Sequence, residues 1–249
     1  MKRVCRILVL SIVLAISLPA QGQKFDRGIS LTEGPVFIPK NSFLFGGTVS
    51  YQNYGFDDYK FLVLEDMNID AYSLKASPFL YFSVANNQAV GLRFSYGRSM
   101  AKLDELNLSL GEDMAFSLGD VYNIKQTYYG SLAYRYYMPI GNSLRFGLFA
   151  DMSLNCGIGQ GKFISGTGEN IVGTYQNILD LSIDVIPGIA VFASNEIAVE
   201  ASVGILGIGY KKVTQVTNQV FEGSYETKGA NFKINFLTIN LGINIVLPI

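Results

Sequence analysis

The sequence predicts an all-β fold: an eight-stranded antiparallel up-and-down transmembrane β-barrel with short periplasmic turns and four long outer loops. Three observations point there. Only 16% of the 249 residues are charged, against roughly 25% in an ordinary soluble domain, while 49% are apolar. No stretch after the first 20 residues is long and apolar enough to span a membrane as a helix. The rest of the chain repeats segments that alternate apolar with small or polar side chains, as a barrel wall requires.

The N-terminus has the layout of an export signal. Lys2, Arg3 and Arg6 precede an apolar run from Ile7 to Leu18, and Pro19-Ala20-Gln21-Gly22 offers a small-residue cleavage site. This divides the chain into a signal peptide (1–22, cleaved near Gly22), an N-terminal periplasmic lead-in (23–41) and the barrel (42–249). Cys5 leaves with the signal and Cys156 remains alone, so no internal disulfide is expected. Losing Lys2, Arg3 and Arg6 takes the basic residues from 19 to 16 against 20 acidic ones, a mature charge of −4. No basic field is left to hold nucleic acid.

The wall segments fall near 42–52, 71–83, 88–100, 122–138, 143–156, 178–193, 196–210 and 231–247. The last is the clearest. Leu237, Ile239, Leu241, Ile243, Ile245 and Leu247 share one face, while Thr238, Asn240, Gly242 and Asn244 share the other. The fifth sets Phe146, Leu148, Met152 and Leu154 against Arg145, Gly147, Asp151, Ser153 and Asn155. Apolar faces on every segment suit a lipid-facing wall better than one soluble core. Ala85-Asn86-Asn87, Ile140-Gly141-Asn142 and Ser194-Asn195 read as tight turns. The connections 53–70, 101–121, 157–177 and 211–230 are long. Strict short–long alternation puts the short turns and both chain ends in the periplasm. Phe43, Phe45, Phe82, Tyr134 and Tyr136 would form one aromatic girdle, and Tyr51, Tyr72, Tyr96 and Tyr128 the other.

The period of two also sends charges inward: Lys75, Arg93, Arg135 and Arg145, with Asp151, Asp180, Asp184 and Glu200. Unpaired buried charge is costly, and eight strands leave an interior that side chains can fill. A packed polar plug is therefore expected, with a gated ion path or proton relay as the functional alternative. On the loops, Tyr54, Phe56, Tyr59, Phe61, Phe163, Tyr175, Phe221 and Tyr225 are candidate contact residues. The loop acids Asp57-Asp58, Glu65-Asp66, Asp104-Glu105 and Glu112-Asp113 lack the spacing of a calcium loop and read as solvated charge. Gly157-Ile158-Gly159-Gln160-Gly161 has no helix after it, so it reads as a strand exit and not a phosphate cradle.

Nearly the whole mature chain resembles the small eight-stranded outer-membrane barrels of Bacteroidetes, a PorT-like and OmpA-like family. The resemblance rests on Phe45-Gly46-Gly47, on Ser77-Pro78-Phe79-Leu80-Tyr81-Phe82, and on Pro187-Gly188-Ile189-Ala190-Val191-Phe192 leading to Ile197-Ala198-Val199-Glu200. In the closing strand Asn240, Gly242, Ile245 and Leu247 resemble the signal read by the barrel insertion machinery, although the chain ends Leu247-Pro248-Ile249 without the usual aromatic. The resemblance implies a fold and an outer-membrane location, and no shared reaction.

Function is expected to be non-enzymatic. The chain has no histidine, which removes the commonest general base and histidine-ligated metal sites, and no nucleophile has a recognisable activating partner. No cofactor or metal is expected. The expected partners are outer-membrane lipid, the insertion machinery during biogenesis, and a surface ligand or envelope protein met by the outer loops. The alternatives are a conduit for a small or hydrophobic ligand, or an accessory role in protein export.

Overall fold

The computed structural model describes Arg27 and residues 35–61, 64–109, 115–166, 171–218, 220–232 and 239–249. The expected signal peptide lies outside the described residues. Ten antiparallel strands follow in order: β1 (Ser42–Phe61), β2 (Leu64–Ala85), β3 (Gln88–Ser109), β4 (Ala115–Pro139), β5 (Phe146–Ser165), β6 (Val172–Phe192), β7 (Ile197–Ser202), β8 (Leu206–Thr217), β9 (Phe221–Phe232) and β10 (Asn240–Pro248). Each strand from β1 to β6 pairs with the next. β10 pairs with β7 on one side and β1 on the other, which closes the sheet into a ring. β8 continues along β6 beyond β7, and β9 pairs with β8.

Ten strands stand where eight segments were expected, because the last two segments are divided. The seventh, 196–210, breaks at a bulge. On β6, Gly188 faces Ser202 and Val185 faces Leu206. Two residues, Ile186 and Pro187, therefore lie across from three, Val203, Gly204 and Ile205. One extra residue on one strand is a β-bulge. Pro187 has no N–H to give the ladder, which suits that position. Its carbonyl accepts from Val203 N at 3.1 Å. The eighth segment, 231–247, runs from the end of β9 through β10, and 233–238 lie outside the described residues.

The long loops need a second correction. The connections 53–70, 101–121, 157–177 and 211–230 are mostly strand, since each hairpin carries its ladder far past the expected boundary. Apolar alternation fades there, but the backbone ladder does not depend on it. Some facing pairs in these extensions are polar: Asp70 lies opposite Lys102, Lys212 pairs with Glu226 at 3.3 Å, and Thr174 hydrogen-bonds Thr217 at 2.9 Å. Such cross-strand pairs each add about 0.2–1 kcal/mol.

The burial pattern is inside out. Large apolar side chains on the outer face are open, with Leu92 60% and Leu241 61% exposed. Arg135, Asp151 and Glu200 point inward and are each 1% exposed. For these residues the period-of-two face assignment holds. Phe43 and Phe82 face each other across β1–β2 with ring centroids 5.2 Å apart, and Tyr96 and Tyr128 do so across β3–β4 at 5.3 Å. These pairs mark opposite ends of the apolar band. No helix among the described residues is long and apolar enough to cross a membrane.

Candidate functional site: the barrel interior

The interior has three storeys, starting at the short-turn end with a cap built from the lead-in. Phe37 and Ile38 are fully buried there. Asn87, in the β2–β3 turn, accepts from Phe37 N at 2.7 Å and Ile38 N at 2.9 Å through its side-chain oxygen. Its own backbone N–H donates to the Ile38 carbonyl at 2.8 Å. Asn87 adopts φ 63°, a left-handed turn conformation that asparagine tolerates. Arg27 donates to the carbonyls of Asn195 (2.7 Å), Phe37 (2.6 Å) and Leu144 (3.0 Å). Its guanidinium lies 3.2 Å from the centroid of the Phe192 ring. The sequence offered no periodic signal for this cap, because it obeys neither the strand nor the helix period.

Above the cap sits an ion cluster with Arg135 at its centre. Asp151 lies directly across the β4–β5 ladder from Arg135, and both its oxygens accept from that guanidinium, at 2.6 and 2.7 Å. The remaining nitrogen donates to both oxygens of Glu200 at 2.8 Å and to the Tyr137 hydroxyl at 3.1 Å. Asn244 on β10 donates to Glu200 at 2.8 Å and to Tyr137 at 3.1 Å. Arg93 joins from β3 by pairing with Asp151, and donates to the Tyr81 hydroxyl at 2.6 Å. Two arginines thus neutralise two carboxylates. Rings fill the remaining space: Phe149 lies 4.2 Å and Phe79 5.0 Å from the Arg135 guanidinium. Glycine makes room for them, since a Cβ on Gly188 would collide with the Phe149 ring.

The third storey is a polar cavity of about 540 Å³ toward the long hairpins. Lys75, Arg93, Arg98, Lys125 and Lys211 line it together with Asp180 and Asp184 and a set of serine and threonine hydroxyls. Asp184 accepts from Asn155 at 2.7 Å and Ser182 at 3.2 Å, and Asp180 accepts from the Tyr129 hydroxyl at 3.3 Å.

The eight charges expected in the lumen therefore separate. Arg93, Arg135, Asp151 and Glu200 form the cluster, while Lys75, Asp180 and Asp184 face the cavity above it. Arg145 belongs to neither. The fifth strand begins at Phe146, not at 143, so Arg145 lies outside the ladder and donates to the Phe192 carbonyl at 3.5 Å. Lys125 was readable by the same parity as Arg135. Lys211 was not, because the bulge reverses which residues of the seventh segment face inward.

The loop contact candidates sit on strands. Phe163 lies on β5, Tyr175 on β6, and Phe221 and Tyr225 on β9, the last three exposed. Tyr54, Phe56, Tyr59 and Phe61 belong to β1, with side chains outside the described residues. Asn240, Gly242, Ile245 and Leu247 all lie on β10, where Gly242 faces Thr48 and Ile245 faces Phe45. Cys156 is a free, outward-facing residue of β5.

No protein-family model and no curated protein matches the chain. Among solved structures, it is similar to a major outer membrane protein from Thermus thermophilus, with 13% identity, 82% of this chain and 98% of that one covered, and a TM-score of 0.40. It is also similar to the outer membrane protein OprG from Pseudomonas aeruginosa, with 10% identity, coverage of 85% and 98%, and a TM-score of 0.38. Both likenesses are too distant to carry an inference, and the ring stands on its own strand pairings.

Proposed function

We propose that this protein is a non-enzymatic barrel of the bacterial outer membrane, blocked at its short-turn end, that acts through its long hairpins in binding or membrane structure. The inverted burial carries this reading. A water-exposed sheet with an apolar outer face and an ionic interior would have the hydrophobic effect against it, whereas lipid reverses the preference. β7 with β8, and β9 with β10, would each form one membrane-crossing unit, giving eight in all. The short turns would then face the periplasm and the hairpins the cell exterior. Membrane lipid, the insertion machinery and a surface ligand or envelope protein are the partners this reading requires. The resemblance to small Bacteroidetes barrels belongs to the same reading.

Blockage follows from the ion cluster and the cap, which together fill the lower lumen. A non-enzymatic role follows from chemistry. The buried carboxylates are taken up by arginines and amides, and the chain has no histidine to serve as a base. The test is twofold. Folded protein should migrate differently on gels before and after boiling, and planar-bilayer recordings should show only small, rare openings. Recovery in the soluble periplasm would overturn the location, and stable porin-sized conductance would overturn the blockage.

A conduit is the second reading. Beyond Val49 the free edge of β1 has no strand partner among the described residues, and neither does the outer edge of β9. A lateral passage there would lead from the polar cavity to the bilayer. Crosslinking in native membranes followed by pull-down would separate a protein partner from a solute role.

A further inference from the structure

We propose that the cavity above the ion cluster is a binding site for a small oxyanion, the phosphate or carboxylate group of a hydroxylated solute, held by Arg93, Lys75 and Ser153 at its floor and by Lys125 and Lys211 above. Four observations converge on it. First, the floor presents buried polar atoms with nothing to bond. Arg93 Nε and Ser153 Oγ have no hydrogen-bond partner among the described residues, although both residues line the cavity. An unpaired buried donor costs about 1–3 kcal/mol, which a side-chain turn onto an acceptor held in the cavity would offset.

Second, the cations exceed the available anions. Asp151 and Glu200 are taken up by Arg135 and Arg93 below. Three lysines then remain against Asp180 and Asp184, and both carboxylates already accept hydrogen bonds from neutral groups. Lys75, Lys125 and Lys211 make no hydrogen bond or ion pair to an acceptor among the described residues. Third, Lys125 and Lys211 approach each other across the cavity. Two ammonium groups repel, and an anion between them turns the repulsion into attraction. Fourth, the rest of the lining is rich in hydroxyls, including Ser95, Thr127 and Ser182, which suit the hydroxyl groups of a solute. The volume of about 540 Å³ fits within the range of small-molecule sites.

The site is independent of the proposed role of the hairpins, and its failure would leave the barrel and the plug standing. The test is calorimetric titration of the refolded full-length protein in maltoside micelles at fixed ionic strength. Inorganic phosphate, glucose 6-phosphate and gluconate are the probes, and glucose and chloride are the controls. Saturable binding of a phosphate or carboxylate probe, without binding of glucose, is expected, and the preferred probe tells phosphate from carboxylate. Lys75→Gln and the double variant Lys125→Gln/Lys211→Gln should each weaken binding by about tenfold or more. Asp180→Asn should tighten it, an outcome that impaired folding would not produce. The double variant should melt no lower than the parent, because it removes a like-charge contact. Absence of saturation by every anion, equal binding of glucose, or unchanged affinity in the lysine variants would overturn the proposal.

Discussion

Arg135 holds two carboxylates and a phenol with one planar group, which no other side chain can do. Its five donors match the fork geometry, whereas a lysine would supply one point charge. Arg135→Ala should therefore destabilise the barrel by about 3–5 kcal/mol in urea unfolding, because Asp151 and Glu200 would be left buried with too little counter-charge. Arg135→Lys should recover only part of this. Gly188 is a test of packing in place of charge. Gly188→Ala drives a methyl into the Phe149 ring and the Ala201 carbonyl, and should cost about 1–3 kcal/mol. Gly130→Ala, whose Cβ meets nothing within 4 Å, should cost far less in the same assay. At this scale the sequence was informative. The period of two sent Arg93, Arg135, Asp151 and Glu200 inward from four different strands. It could not say which of the inward charges would touch, because that depends on strand stagger and not on parity.

The bulge between β7 and β8 shows what parity misses. Glu200 and Ser202 face inward at even positions, and past Val203–Ile205 the inward residues are Gly207, Gly209 and Lys211. One inserted residue turns Ile208 out and Lys211 in. Deleting Gly204 should remove the bulge, set Val203 and Ile205 across from Pro187 and Ile186, and keep Leu206 and Ile208 facing out, so the folded barrel should retain its gel-mobility shift. Gly204→Ala should keep that shift, since its Cβ has open space. Nothing local in Val203-Gly204-Ile205 announces the bulge. Its cause lies across the ladder at Pro187, and only pairing brings the two together. The hairpins were hidden for a related reason. Their strands hold by backbone hydrogen bonds where side-chain alternation has lapsed, so a search for alternation ends each strand too early.

The whole molecule reverses the usual partition of polar and apolar residues, and that reversal was legible from composition and segment pattern before any contact was known. Leu241→Arg on the outer face should therefore cost about 2–4 kcal/mol for a barrel refolded in vesicles, a loss read from its urea midpoint. The cap was not legible, since Arg27, Phe37 and Ile38 act through turns far away in the chain. Those distances have a consequence for assembly. Arg27 bonds to Leu144 and Asn195, which are 117 and 168 residues downstream. Closing such wide chain loops costs entropy that only an ordered framework repays. The earliest of these stretches to be made is thus the last to settle, and its docking reports that the wall through β6 is already in register. The cap works as a latch that can close only once the strands up to β6 have brought Leu144 and Asn195 together.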